Sequence, residues 1–286
     1  MKFQVVPDYH MHTPRCNHAI GTVIEYAEAA LLVGLKEIGM SDHSPMPGGF
    51  DKAWRMDRSE LDAYLNEVSE AQNIFAGRLD IKMGLEADFH PGTENYVQEM
   101  IAAHDWDYVI GSVHYIGEWG FDNPDEVKQW EVWDVEDAYC AYYELVAASA
   151  ESGLFDIIGH PDLIKKFGHR PPLDSQRVLD AEERMLVAVK KADVALEVSS
   201  AGLRKPVREV YPHARIIARA TELDIPVSFG SDAHAPGEVG HAMDVCLGML
   251  EMCGIHEVAA FSGRERRMQS IKRKTSVTQK SVSAGS

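Results

Sequence analysis

Short runs of β-forming residues alternate with longer helical patterns along almost the whole chain, and this alternation is the strongest constraint on its fold. Seven runs are predicted as strands: 3–9, 35–40, 80–87, 107–113, 156–159, 194–199 and 226–231. Helices are predicted at 22–33, 59–76, 94–103, 135–151, 174–191, 211–223 and 238–253. Repeated strand and helix units favour a parallel sheet covered by helices. We therefore predict an α/β fold.

The same sequence patterns indicate how the chain is organised into domains. Thr22 and Glu25 have the spacing of a capping box at the start of the first helix, and Gly34 suits its end. No Gly/Ser-rich linker and no internal repeat divides the sequence. We predict one domain over residues 1–265, followed by a basic, flexible tail over 266–286.

Composition excludes several classes of protein. The 28 basic and 45 acidic side chains give a formal net charge of −17, which repels phosphate backbones and argues against nucleic acid as a partner. No apolar run reaches the roughly 18 residues of a membrane span, and the first residues lack the apolar core of a signal peptide. The 4 cysteines show no CxxC spacing. We predict a cytoplasmic protein that binds neither membranes nor nucleic acid.

Potential metal ligands follow six of the seven predicted strands. They are His10 with His12, His43, Glu86, His114, His160, and Asp232 with His234, while His18 lies in the loop after the first strand. In a closed barrel the carboxyl ends of all strands meet at one rim, whereas an open sheet gathers only the residues beside its switch point. The placement therefore favours a closed or nearly closed seven-stranded barrel.

The spacing of these residues points to metal binding. Residues at i and i+2 of an extended segment point the same way, so the histidines at 10 and 12 can address one ion, as can Asp232 and His234. Imidazole and carboxylate together suit Zn²⁺, Mn²⁺ or Fe²⁺, and nine ligands suit two or three ions. Taken singly, each motif also fits a turn or a cap. Asp42 and Asp162 either orient ligand imidazoles or cap turns.

Closely spaced divalent ions indicate phosphoester hydrolysis. They can share a hydroxide at neutral pH and neutralise the charge that develops on phosphoryl oxygens. Glu86 is the best candidate for a carboxylate that bridges ions, because it ends a strand in the middle of the predicted order and carries two oxygens.

The motifs together resemble a known family. They are HxH at 10–12, HTPRCNH at 12–18, SDHSP at 41–45, GLEADF at 84–89, GSVHY at 111–115, GHPDL at 159–163 and GSDAH at 230–234. This set resembles the polymerase-and-histidinol-phosphatase (PHP) superfamily over about residues 5–262, and within it the histidinol-phosphate phosphatase branch.

The resemblance implies a distorted (β/α)7 TIM-like barrel with a trinuclear site. One ion would take His10, His12, Glu86 and Asp232, a second would share Glu86 and add His114 and His160, and the third would take His18, His43 and His234. It also implies that a metal-bridged hydroxide hydrolyses L-histidinol phosphate to L-histidinol and inorganic phosphate. Glu86, Asp232 and His234 are the predicted catalytic residues.

Substrate binding is predicted from one further segment. Arg204 follows the only predicted strand that ends without a metal ligand, and GLRKP at 202–206 resembles the phosphate-binding segment of this branch. A guanidinium suits the oxygens of a phosphate. Lys165, Lys166 and Arg170 are weaker candidates. The alternatives are another small phosphomonoester, a nucleic-acid-processing module, or a metal-binding protein without turnover. The segment 115–134 is either a lid or a packed surface loop.

Overall fold

The computed structural model describes residues 2–274. Its strands are β1 (Glu37–Met40), β2 (Asp80–Asp88), β3 (Tyr108–Ser112), β4 (Tyr115–Ile116), β5 (Trp119–Gly120), β6 (Ile157–Ile158), β7 (Ala195–Ser199), β8 (Val227–Gly230), β9 (Glu257–Ser262) and β10 (Glu265–Ser270). Six of them form a parallel sheet in the order β1-β2-β3-β6-β7-β8. The antiparallel pairs β4-β5 and β9-β10 lie outside this sheet.

The seven predicted helices are all present in the described part of the chain. They are α1 (Val23–Val33), α2 (Leu61–Phe75), α3 (Glu94–Ala102), α4 (Val135–Glu151), α5 (Gln176–Ala192), α6 (Ala214–Glu222) and α7 (Met243–Met252). The capping box of Thr22 and Glu25 forms, and Gly34 ends α1 in the left-handed conformation. In α2 the buried positions 61, 64, 68, 71 and 75 recur at helical spacing, so one face packs inward.

The first predicted strand is not a regular strand, yet its residues close the barrel. Pro7 interrupts the segment 3–9, and proline has no N–H to donate to a neighbouring strand. The chain instead makes single parallel bridges from Asp8 to β1 and from Met11 to Ala233, just past β8. The Gly39 N–H donates to the Asp8 carbonyl over 2.8 Å, and the Tyr9 N–H donates to the Phe229 carbonyl over 3.2 Å. The result is a distorted (β/α)7 TIM-like barrel.

The hairpin β9-β10 covers the end of the barrel opposite the strands' carboxyl ends. Phe261 is buried against Tyr9 and Tyr108, and its N–H donates to the Tyr9 hydroxyl over 3.0 Å. The two residues of its turn, Gly263 and Arg264, both have positive φ, as in the tight turns that join antiparallel strands. We call this hairpin, residues 257–270, the floor hairpin.

The floor hairpin corrects the predicted tail boundary. The flexible tail was expected from residue 266, but residues 266–270 belong to β10, and residues 275–286 lie outside the described residues. The basic side chains are placed by acidic partners on the barrel: Arg264 contacts Asp156 at 2.9 Å and Arg266 contacts Asp193 at 2.7 Å. Within residues 2–274, no helix has both the length and the apolar character to cross a membrane.

Candidate metal centre

The structure brings all nine predicted ligands to one end of the barrel. The irregular segment that closes the barrel supplies His10 and His12, and the loop after it supplies His18. The other ligands lie in or just past the strands: His43 after β1, Glu86 in β2, His114 after β3, His160 after β6, and Asp232 and His234 after β8. His43 and Glu86 are bridge partners, which explains why their side chains meet. The predicted convergence at the carboxyl ends of the strands therefore occurs.

Glu86 is the centre of this group. Its side chain is 1% exposed, and its Oε2 lies 2.8 Å from His43 Nδ1 and 3.2 Å from His10 Nε2. Its Oε1 lies 3.2 Å from His160 Nε2 and accepts a hydrogen bond of 2.6 Å from the Ser112 hydroxyl. One carboxylate thus faces histidines on both of its oxygens, as a bridging ligand would.

Asp232 brings a second carboxylate to the same histidines. Its Oδ1 lies 3.1 Å from His12 Nε2 and 3.9 Å from His10 Nε2. The backbone of Asp232 has φ of 50°, and that of His160 has φ of 22°. Residues other than glycine seldom adopt such angles, and those that do concentrate at functional sites.

His18 and His234 form the outer part of the group. Their Nε2 atoms are 2.9 Å apart, and the His234 ring lies over the His12 ring with 4.1 Å between centroids. Both outer histidines contact main-chain carbonyls, and His234 Nδ1 also lies 3.4 Å from Asp232 Oδ1. His18 Nδ1 contacts the Cys16 carbonyl at 2.8 Å, and His234 Nδ1 contacts the Asp232 carbonyl at 3.1 Å.

Carboxylates behind the ligands hold the inner imidazoles, and sequence reasoning missed two of them. Glu197 Oε1 lies 2.6 Å from His10 Nδ1, and Asp88 Oδ1 lies 2.5 Å from His114 Nδ1. Such partners fix the ring orientation of metal-ligating histidines. The signal for Glu197 was an acidic residue inside an apolar strand, VALEVS at 194–199.

The two aspartates considered for this orienting role differ. Asp42 Oδ1 lies 3.5 Å from His12 Nδ1 and accepts the His43 N–H over 2.9 Å, so it does adjoin the ligands. Asp162 instead lies 2.7 Å from Lys165 Nζ and accepts the His213 N–H. Asp162 therefore braces a turn, which was the other interpretation of its motif.

The donor atoms fit divalent cations. Buried polar atoms normally have hydrogen-bond partners, yet within residues 2–274 no hydrogen bond satisfies His10 Nε2, His12 Nε2, His43 Nδ1 or Glu86 Oε2. Ligand atoms of His10, His12 and Glu86 lie within 4.8 Å of one another, as do those of His43, Glu86 and His114. Histidine and carboxylate clusters of this kind are able to hold metal ions.

Electrostatics favour the metal-binding forms of two ligands, Glu86 and His18. Burial would raise the pKa of Glu86, but His43 and His10 beside it hold that pKa well below its ordinary value. Burial lowers the pKa of His18 to about 4, and His12 adds to the effect. A deprotonated carboxylate and a neutral imidazole are the forms that coordinate cations.

Arg204, the predicted phosphate ligand, is anchored beside the centre. Its Nη2 donates to the carbonyls of Ser231 and Asp232 over 2.8 and 2.9 Å, and its Nε lies 3.1 Å from Glu238 Oε1. The other oxygen of Glu238 accepts the His234 N–H over 2.9 Å. Nη1 of Arg204 is buried and has no hydrogen-bond partner in the described part of the chain. Sequence reasoning did not identify Glu238, which links the arginine to a ligand loop.

A cavity opens over the outer part of the centre, and the segment 115–134 forms one of its walls. Gly120, Asp122, Asn123 and Pro124 line the cavity together with His18, His43, His114, His160, Asp232 and His234. Lys166 Nζ donates to the Asp122 carbonyl over 2.6 Å and lies 3.0 Å from its carboxylate, while the Trp130 ring stacks on His169 with 4.4 Å between centroids. The segment is thus packed in place beside the centre. Arg170 pairs with Glu209 at 2.8 Å, and neither it nor Lys165 lines the cavity.

Comparison with known proteins identifies the family of the chain and confirms its fold. A model of the PHP domain matches residues 8–201, and a model described as PHP-associated matches residues 211–245. The chain belongs to the PHP family. Its relatives include a protein named "Probable histidinol-phosphatase" from Deinococcus radiodurans, which is 52% identical over 82% of this chain and 88% of its own length.

Two other similar proteins extend the comparison. The histidinol-phosphatase of Bacillus subtilis is 30% identical over 86% of this chain and 98% of its own length. A crystal structure of histidinol phosphate phosphatase from Lactococcus lactis, complexed with zinc, L-histidinol and phosphate, superposes with a TM-score of 0.75 at 22% identity. That match covers 91% of this chain and 98% of the other, and it confirms the predicted PHP-type barrel.

Proposed function

We propose that this PHP protein is a metal-dependent phosphomonoesterase that hydrolyses L-histidinol phosphate to L-histidinol and inorganic phosphate. The observation that carries the proposal is its 52% identity to the Deinococcus radiodurans relative over 82% of the chain, in a fold whose nine histidine and carboxylate side chains converge. The Bacillus subtilis relative, which carries the same function in its name, supports it.

The metal ligands are proposed in three groups. The first is His10, His12, Glu86 and Asp232; the second is Glu86, His114 and His160; the third is His18, His43 and His234. The close approach of Glu86 to histidines on both oxygens supports its bridging role. Divalent zinc, manganese or iron in these positions would supply Lewis-acid activation of water and neutralise phosphoryl charge. Glu86, Asp232 and His234 are the proposed catalytic residues.

Arg204 is the proposed substrate-binding residue. Its guanidinium is held in one orientation by two carbonyls and Glu238, and among the described residues Nη1 has no hydrogen-bond partner. A fixed, charged donor is suited to a nonbridging phosphate oxygen because little side-chain entropy is lost on binding.

Location in the cytoplasm is part of the proposal. Cys16, Cys140, Cys246 and Cys253 are all free thiols in the described chain. A reducing compartment maintains cysteines in this state.

A substrate panel tests the proposed activity. Protein loaded with Mn²⁺ or Zn²⁺ is assayed for phosphate release from histidinol phosphate, p-nitrophenyl phosphate and other small phosphomonoesters. We expect kcat/KM to be highest for histidinol phosphate and turnover to stop with a chelator. Equal or better turnover of the aryl phosphate would contradict the assignment.

A matched pair of variants tests the role of the centre in that reaction. Glu86→Ala should lose turnover of every substrate in the panel. Glu99→Ala removes an exposed carboxylate from α3 and should leave kcat/KM unchanged. Full activity in Glu86→Ala would rule out the proposed centre.

A further inference from the structure

Among residues 2–274, three lysine or arginine side chains line the cavity over the metal centre: Arg55, Lys166 and Lys205. A phosphomonoester is a dianion near neutral pH, so each cation is a candidate contact for its phosphate group. Their existing partners distinguish them.

Arg55 and Lys166 are already neutralised. The Arg55 side chain is 4% exposed, and its Nε lies 2.6 Å from Asp88 Oδ2. Lys166 Nζ lies 3.0 Å from Asp122 Oδ2 and also donates to the carbonyl of that residue. A phosphate would have to compete with these carboxylates, and breaking a buried ion pair leaves an uncompensated charge.

Lys205 has no such partner. Within residues 2–274 its ammonium makes no hydrogen bond and no ion pair, although it lines the cavity beside Asp232 and His234. Burial lowers the pKa of Lys205, and Asp232 opposes that shift without direct contact. An ammonium partly removed from water and left unpaired is costly unless an anion arrives.

The chain direction after β7 explains why Lys205 and Arg204 face different ways. Residues Ala201–Arg204 form one 3₁₀ turn, and Lys205 ends it in an extended conformation, with its N–H donating to the Gly202 carbonyl over 3.1 Å. Arg204 reaches the ligand loop at Ser231 and Asp232 and does not line the cavity. The open space over the centre therefore receives the lysine.

We propose that Lys205 contacts the phosphate group of the substrate from the cavity side, as a second cation beside Arg204. The proposal rests on the proposed function and deepens it by adding a substrate-binding residue. A lysine serves here as a compact point charge with rotatable donors, which complements an arginine fixed in one orientation.

Binding of inorganic phosphate tests Lys205 apart from the reaction. The metal-loaded protein and its Lys205→Met, Lys205→Arg and Lys191→Met variants are titrated with phosphate by calorimetry, and metal content is measured for each. We expect Lys205→Met to weaken phosphate binding by about 10-fold to 100-fold, the usual effect of one hydrogen bond to a charged group. Lys205→Arg should stay within about threefold of the wild type because it keeps the charge. Lys191→Met, on the exposed side of α5, should not change.

Two results would overturn the proposal. One is phosphate affinity in Lys205→Met within about twofold of the wild type, a difference below 0.5 kcal/mol by the logarithmic relation. The other is loss of bound metal in Lys205→Met, which would make the lysine a support for the ligands. If histidinol phosphate proves to be the wrong substrate, the phosphate titration still decides the role of Lys205, so the two failures are distinguishable.

Discussion

The two ends of the barrel differ in the side chains that are buried there, which are polar at one end and aromatic at the other. At the carboxyl end of the strands, Glu86 and its histidines are buried, and several of their polar atoms have no hydrogen-bond partner within residues 2–274. At the other end, Tyr9, Tyr108 and Phe261 pack as an aromatic cluster under the floor hairpin. The first arrangement costs free energy of folding in order to hold cations, while the second supplies stability. Function and stability are therefore separated along the barrel axis, and the following variants test that separation.

The largest effect is expected at the carboxyl end. Glu86→Gln removes the carboxylate that faces five histidines. We expect kcat/KM for histidinol phosphate to fall by about 1,000-fold or more, as expected when metal and charge stabilisation are lost. The metal-free variant should also unfold at a lower temperature, because His43 and His10 hold the pKa of Glu86 below its ordinary value and lose their carboxylate partner. Turnover that survives in Glu86→Gln would contradict the assignment of function to this end of the barrel.

The next effect is expected at the floor. Phe261→Ala leaves a cavity beside Tyr9 and Tyr108 and should lower the free energy of unfolding by about 3–5 kcal/mol. The kcat of the folded fraction should stay unchanged. Denaturant unfolding and assays at low temperature measure the two quantities. Met268→Ala, on the exposed side of the same hairpin, is the control and should cost less than about 1 kcal/mol.

A smaller effect is expected behind the ligands. Glu197→Gln weakens the orientation of His10, whose pKa the carboxylates Glu197 and Glu86 raise against the opposing effect of burial. We expect metal affinity to fall by about 10-fold to 100-fold, the range for such orienting partners. Competition with a chromogenic chelator measures it. An affinity equal to that of Glu99→Gln would show that Glu197 does not support the centre.

Acid should destabilise the metal-free protein through His18. Burial lowers the pKa of this histidine to about 4, while the unfolded chain titrates near 6.5, so the unfolded state binds more protons as the pH falls between these values. Stability is therefore present above the unfolded pKa and is lost on acidification. Between pH 7 and pH 5.5 the wild type should lose on the order of 1 kcal/mol more than His18→Gln. If the free energy of unfolding falls equally with pH in the two proteins, His18 is not the group responsible.

The smallest effect is expected on the surface of the floor hairpin. Arg266→Gln removes a pair with Asp193, whose side chain is 78% exposed. We expect a change of at most about 1 kcal/mol that disappears in high salt. A larger, salt-independent loss would mean that the hairpin is fixed by this charge rather than by Phe261.

The sequence allowed the carboxyl end to be predicted in detail because chemistry there is local to each motif. A ligand that ends a strand must lie at the rim, and His10, Glu86 and Asp232 obey that rule whatever the details of packing. Glu197 escaped notice because its role depends on meeting His10 across 187 positions of sequence. No local pattern records such a pairing.

The other end was predicted poorly for a related reason. The segment 3–9 has strand-like composition, but Pro7 leaves only single bridges on either side of it. The floor hairpin contains a short apolar run followed by closely spaced arginines, which in isolation is typical of a solvated tail. Arg264 and Arg266 have fixed positions because they form ion pairs with Asp156 and Asp193 on the barrel.

The position of Trp54 gives the centre a built-in optical reporter. Its indole lines the cavity with its ring centroid 4.9 Å from that of His18, whereas Trp119 packs against Trp130 and Trp133 and none of these three lines the cavity. A paramagnetic ion held by His18 would quench the fluorescence of the nearby indole most strongly. Emission from this one tryptophan can therefore follow filling of the outer position in real time, without a dye or a chemical label.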